Sequence, residues 1–355
     1  LVTVSDFSPL VPAEPILYRV RDIIGFNTVT FDTMGEYDHV SVIGRDDGSM
    51  EVNVIDAEEL ILPGTVDDVD FFFINPGPHT DVGLAGARRA SATSLTEVHF
   101  DGTTNVVVNG GGGTSLDILT VSGTDGDDAI ALENIGEGDA SVATSFGPDI
   151  QILAFGSEGS IVSLEGQGGD DAFSIEALDT IHVLANGGDP TASDHVVVKG
   201  TALDDVMQAG QLGPHSAVVI VNAQAPITIT AAELLTIDGR TGNDVFTVLG
   251  DFDDNTIELT PGATNDAGDI QVDSQLPMKF TNLGAGGNVL IESALGDDTL
   301  VYNGTAATDA FTVGAATVFL DARVPVSTSN VGDYQLRGLG GDDTFTVQAL
   351  SLIHI

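Results

Sequence analysis

Three stretches of this chain repeat one another: LEGQGGDDAFSIEAL at Leu164 to Leu178, LTIDGRTGNDVFTVLG at Leu235 to Gly250 and LRGLGGDDTFTVQAL at Leu336 to Leu350. A Gly-rich acidic corner that recurs ahead of an alternating apolar strand is the mark of a repeat protein, so the chain reads as an array of similar units. A second cassette accompanies the first, as GTDGDDAIAL at Gly123, GTALDDVMQAG at Gly200 and GTAATDAFTVG at Gly304. Each follows another Asp-led strand at one fixed distance: Asp117 to Asp128, Asp194 to Asp205 and Asp298 to Asp309 are all 11 residues apart. The GGDD-type strand then closes each copy after a variable stretch, which places insertions in the middle of the unit.

From Val106 onward, short apolar alternations arrive about every 11 residues, among them VVV at Val106, ILTV at Ile118, AIAL at Ala129, AFSI at Ala172 and HVVV at His195. Short strands at regular spacing, separated by Gly, Asp, Asn and Thr, predict an all-β fold. The absence of Trp and the 43 glycines point the same way. The expected architecture is a right-handed parallel β-helix or β-solenoid, with tandem β-sandwich modules as the alternative. ITAAELLTI at Ile229 to Ile237 is the nearest approach to a helix, and its β-branched flanks make it an edge strand. Residues 1–75 read as a degenerate N-terminal repeat with an older copy over Val20 to Ile74, 76–105 as a loop or linker, and 106–350 as the repeat region. Residues 251–288 lie between the second and third copies and still read as strands. LSLIHI at Leu350 to Ile355 resembles the translated end of a sequencing-library transposon, so residues 351–355 are expected to be an adapter scar on a fragment.

Charge excludes whole classes of partner. Ten basic residues stand against 54 acidic ones, a formal net charge of −44, which disfavours nucleic acid and anionic membrane surfaces and favours cations. No cysteine is present, so disulfides and thiolate metal sites are ruled out. No apolar run reaches the ~18 residues of a membrane span, so no membrane insertion is expected. The seven histidines form no HExxH or paired motif, and DFDDN at Asp251 starts like an EF-hand loop but has Gly262 where a bidentate Glu is required. GRDDGS at Gly44 is a turn of the same kind.

Two readings fit the corner. Gly supplies positive φ, and Asp or Asn bonds the neighbouring backbone, so GGDD and TGND make turns with no metal. Alternatively, the same carboxylates and exposed carbonyls suit a hard divalent cation. On that reading the candidate metal ligands are Asp127, Asp128, Asp170, Asp171, Asn243, Asp244, Asp297, Asp298, Asp342 and Asp343. Phe173, Phe246 and Phe345 stand two residues beyond the second acidic position, followed by Ile175, Val248 and Val347, and period two sends this set into the core as a ladder. Arg240 and Arg337, at corner positions, are expected to satisfy neighbouring aspartates.

GQGGDDAFS at Gly166 and GLGGDDTFT at Gly338 resemble the hemolysin-type, or RTX, calcium-binding nonapeptide GGxGxDxUx. Position by position, the liganding Asp of that family falls on Asp171 and Asp343, and the buried apolar residue on Phe173 and Phe345. Asp244 with Phe246 matches too, and Asp298 with Leu300 less fully. The GGDD units here are isolated rather than tandem, and the local spacing is 11 rather than nine. Most of residues 106–350 is similar to large bacterial secreted and surface repeat proteins with GTxxDDxFxV and GxGGDDxFxV units, of the kind found in planctomycetes. The resemblance implies an extracellular, non-enzymatic role and little about ligand. The expected function is a structural or adhesive segment of a larger secreted or cell-surface bacterial protein, with calcium as a candidate stabiliser and divalent cations, surface polysaccharide or other cell-surface proteins as candidate partners. A polysaccharide-binding or polysaccharide-cleaving β-helix is the alternative function.

Overall fold

The computed structural model describes residues 106–348 except 111–115, 137, 156–158, 190–192 and 252, and before these it describes strand paths together with Phe73 and Ile74. The expected repeat over Val20 to Ile74 falls largely, and the tail 351–355 wholly, outside the described residues. The fold is all-β, with no helix among the described residues and therefore none long and apolar enough to cross a membrane. The chain divides into two compact units, residues 1–174 with 178–192, and residues 175–177 with 193–355. In each, the strands form two mixed sheets in which parallel pairing predominates.

Parallel ladders join equivalent strands of successive tiers. In the first unit Asp117–Ser122 pairs with Ile161–Glu165, which pairs with His182–Asn186. The register stacks Leu119, Val162 and Val183 in one column and Val121, Leu164 and Ala185 in the next, all buried. In the second unit Val206–Gly213, Val245–Leu249, Asn288–Glu292 and Val326–Ser329 pair in sequence, aligning Met207, Phe246, Val289 and Val326. A facing column runs through Val196, Leu235 and Met278. Alternate residues of each strand are buried, as Met207 and Ala209 or Phe246 and Val248 show, because successive side chains point to opposite faces. Equivalent strands paired in parallel are compatible with a β-helix or solenoid.

Antiparallel hairpins, the signature of the sandwich alternative, also occur, but inside single tiers. Val206–Gly213, Ser216–Val221 and Ile227–Thr230 form one three-stranded excursion, and Thr256–Pro261, Gly268–Val272 and Met278–Thr281 another. The variable middle of each repeat is thus a folded meander rather than a loop. In three of these meanders the second turn carries an Asn or Asp at positive φ, namely Asn222 (53°), Asp273 (43°) and Asp321 (49°), residue types that tolerate this region. Each of these side chains also accepts a backbone N–H just past the corner, from Val206, Thr256 and Ala310 respectively.

Several expectations are corrected. Leu234–Asp238 is an inner strand, paired to His195–Lys199 on one side and Met278–Thr281 on the other, not an edge. Its Leu235 and Ile237 are buried, so the β-branched flanks report a core strand. Residues 251–288 form a complete tier of the array. Strands Val82–Arg89 and Thr96–Asp101 run through the stretch read as a loop or linker. Phe173, Ile175, Phe246 and Val248 are buried as expected, whereas Phe345 and Val347 are 49% and 65% exposed. Their strand, Thr344–Val347, pairs with Ala310–Val313, and among the described residues no further strand covers that face. Phe345 nevertheless keeps its ladder position, stacked on Phe311 at 5.2 Å between ring centroids.

Candidate functional site: the Gly-Asp corners

The corners are built around a notch that only glycine leaves open. A Cβ on Gly166 would lie 2.1 Å from Asp171 Oδ2, on Gly239 2.2 Å from Asp244 Oδ2, and on Gly338 2.0 Å from Asp343 Oδ2. Gly123, Gly200 and Gly304 stand in the same relation to Asp128, Asp205 and Asp309, at 2.7, 2.6 and 2.5 Å. The rule is Gly five residues before Asp, and the requirement at that glycine is space for a carboxylate, because none of the six has positive φ. The turn itself uses the next residue, Gln167 (77°), Arg240 (61°) or Leu339 (66°), together with Gly169, Gly242 or Gly341.

The two cassettes differ in what meets the carboxylate. In the Gly-Thr corners the Thr backbone N–H donates to Asp Oδ2 at 2.6 Å, from Thr124 to Asp128, Thr201 to Asp205 and Thr305 to Asp309. The Thr hydroxyl adds a bond to the same group. Asn222 donates a third to Asp205, Nδ2 to Oδ1 at 2.8 Å. Replacing Thr201 by Val should remove the hydroxyl contribution while keeping the N–H, lowering stability by about 1 kcal/mol in denaturant titration. In the tier containing Asp298, Ser293 occupies the glycine position and its hydroxyl donates to Asp298 Oδ2.

Between tiers the acidic pairs bond reciprocally. The backbone N–H of the second position donates to Oδ1 of the second aspartate one tier on: Asp128 to Asp171 (2.8 Å), Asp205 to Asp244 (2.8 Å), Asn255 to Asp298 (2.7 Å) and Asp309 to Asp343 (3.0 Å). At the first position the direction reverses. Asp170 N–H donates to Asp127 Oδ1 (2.9 Å), Asn243 to Asp204 (2.9 Å) and Asp297 to Asp254 (2.8 Å), while Asp342 N–H reaches the Thr308 hydroxyl at 3.4 Å. Asp128, Asp171, Asp244 and Asp298 are buried, Asp343 is half-buried, and Asp127, Asp170, Asn243, Asp297 and Asp342 are exposed.

The ten residues expected from sequence therefore meet neighbouring tiers in pairs and do not converge on one centre. Their partners Asp204, Asp205, Asp254, Asn255, Thr308 and Asp309 were missing from that set. DFDDN, dismissed as a turn, supplies Asp254 and Asn255 as a full corner. The repeated strand endings VNAQ at Val221, VDSQ at Val272 and LDAR at Leu320 are the signal that would have found Asn222, Asp273 and Asp321. Arg240 pairs with Glu176, and Arg337 with Glu258 at 3.4 Å, so glutamates take the place of the expected aspartates. These partly exposed pairs add little stability. Among the described residues no group of three or more His, Asp or Glu side chains is placed to hold a metal ion. His195 Nε2 bonds the Thr236 hydroxyl at 2.8 Å, and burial, followed by the nearby Lys279, lowers its pKa.

Asp244 stands apart. It is 0% exposed, its Oδ1 accepts the Asp205 N–H, and its Oδ2 is buried without a hydrogen-bond partner. Burial pushes its pKa from 3.8 up to about 6, the Asp205 N–H opposes this, and the charges of Asp205, Asp204 and Asp238 reinforce it. A carboxyl whose pKa is higher folded than unfolded stabilises the fold below its unfolded value, and that contribution is lost as pH rises through its folded value. Lowering pH from about 7.5 to about 5 should therefore raise Tm more in the native chain than in Asp244→Asn, and the variant should be the more stable at neutral pH. Melting curves at the two pH values check both statements.

Compared with protein-family models, curated proteins and solved structures, the chain matches none of them.

Proposed function

We propose that this chain is a structural or adhesive repeat segment of a larger secreted or cell-surface bacterial protein. The observation that supports this most is where the recurring residues are spent. The corner aspartates bond one tier to the next, and the Gly and Thr of the same corners make room for those aspartates and hold them, which is what a spacer of adjustable length needs and what a catalytic centre does not. Charge supports the same reading: a net −44 over the chain, part of it on exposed corner residues such as Asp127, Asp170 and Asp342, favours solubility and disfavours self-association.

Among the described residues the polysaccharide-directed alternative has a candidate place to act in a recess of about 200 Å³ lined by Glu258, Asp269, Gln271, Met278 and Lys279 among others. Its lysine already faces Asp269 at 3.5 Å, and its volume is below the ~300 Å³ at which ligand sites begin. A turnover screen of the full chain on acidic and neutral polysaccharides separates the readings. No product, with salt-sensitive retention on intact bacterial surfaces or their purified polysaccharides, is the expected result. Turnover that Lys279→Met or Glu258→Gln abolishes would replace the structural reading with an enzymatic one.

A further inference from the structure

The corners share the Gly-Gly-Asp-Asp wording of a calcium motif and have the bonding of something else. We infer that the paired aspartates lock successive tiers through carboxylate–amide bonds with no ion between them, so that the array is held metal-free.

Direction is the first ground for this. At four successive corner pairs the second aspartate turns its Oδ1 onto a backbone N–H of the preceding tier at 2.7 to 3.0 Å. Asp127, Asp204 and Asp254 turn theirs onto the tier that follows. An amide N–H presents the positive end of its dipole, so an oxygen engaged with it faces a fixed partial positive charge along the direction a cation would take. An Oδ1 that turned to an ion would give up its amide, and at the buried second positions the N–H of Asp128, Asp205 or Asn255 would be left without a partner, a desolvation that is costly.

Substitution within the ladder is the second and independent ground. Asn243 occupies a first position and still accepts, from Gly286 N–H to its Oδ1 at 2.8 Å. Thr308 occupies a first position with its hydroxyl accepting the inter-tier bond, and Asn255, at a second position, makes its bond through the backbone N–H, so its side chain needs no charge. A hard-cation site depends on ligand charge, and its affinity falls as carboxylates are lost. A hydrogen-bond ladder needs only an acceptor oxygen and a backbone N–H, and tolerates Asn and Thr. The third ground is that Oδ2 of the Gly-Thr corners is already engaged by the Thr N–H. Charge at the exposed positions thus serves solubility, and the oxygen serves the fold.

The test uses the full chain and two exposed first-position aspartates, Asp127 and Asp254, each as its Asn and its Ala variant. Thermal unfolding is followed with millimolar calcium chloride and with chelator, and calcium uptake is measured by equilibrium dialysis. Coincident curves for the native chain are expected, with Asp127→Asn and Asp254→Asn melting close to it. The Ala variants, which remove the acceptor, should melt lower by roughly 3 to 10 °C. A calcium-dependent rise in Tm that the Asn variants abolish would overturn the inference. So would Asn variants as damaging as Ala, or Ala variants without effect. Should the Ala proteins fail to fold, the Asn variants and the calcium comparison on the native chain still decide, and calcium stabilisation retained in both Asn variants would place the ion away from these corners.

Discussion

Phe246→Ala is expected to destabilise the chain by about 3 to 5 kcal/mol, while the equivalent change at Phe345 costs much less. The two phenylalanines hold the same position of the same cassette, two residues beyond the second acidic residue, so local sequence cannot distinguish them. Burial does. Phe246 is fully enclosed, lying in register with Met207 before it and Val289 after it, with the Phe280 ring 6.2 Å away. Its truncation removes a large apolar surface and leaves a cavity that stacked strands, held by ladders on both sides, are poorly able to close. Phe345 is half exposed and leans one face on Phe311, so its removal forfeits a single stacking contact of about 0.5 to 1.5 kcal/mol plus part of its burial. Urea titration of both variants measures the difference, and equal losses would mean that burial does not govern the ladder.

Gly239→Ala should be comparably damaging, at about 3 to 5 kcal/mol, although it adds a single methyl group. That methyl would sit 2.2 Å from Asp244 Oδ2 and 2.6 Å from the Asn282 carbonyl oxygen. Overpacking of this kind costs about 1 to 3 kcal/mol. If the carboxylate moves aside, the bond from Asp205 N–H to Oδ1 is lost as well, and a bond to a charged acceptor contributes about 1.5 to 3 kcal/mol. Gly213→Ala is the matched control, since nothing lies within 4 Å of its Cβ and its φ is not positive. The double variant Gly239→Ala with Asp244→Ala should lose less than the sum of its parts, because the two act through one contact. Thermal melts of the four proteins give the coupling directly. Strict additivity would show that the glycine notch and the carboxylate are unrelated.

Much of this architecture was legible in advance. Period two and the 11-residue spacing located the strands from Val106 to His195 and put Phe173 and Phe246 inside. Pairing partners were not legible, because a strand that stacks on the next tier and one that turns back as a hairpin show the same alternation. Ser216–Val221 and Val245–Leu249 illustrate this: both alternate, yet the first pairs antiparallel to its neighbours and the second parallel. The corner aspartates were found by repetition, but which atoms they bond is set by residues 34 to 43 positions away. Asn255 and Thr308 were not legible because the repeated motif reads as paired aspartates, while the fold uses the backbone N–H of Asn255 and the hydroxyl of Thr308. The glycines were given a turn-forming role, whereas the first glycine of each corner is required for the space it leaves beside a carboxylate.

The reciprocal bonding of the corners bears on how such a chain changes over generations. In each corner pair the earlier tier offers an acceptor forward at one position and a donor forward at the next, and the later tier returns the complement. The four pairs share this chemistry, so a duplicated stretch that holds a pair carries both halves of its junction with it. Loss of such a stretch removes both halves together and leaves no corner aspartate without its partner. Unequal recombination within the gene can then lengthen or shorten the protein in whole steps while its interior stays closed, and reach becomes a trait that selection can adjust separately from stability.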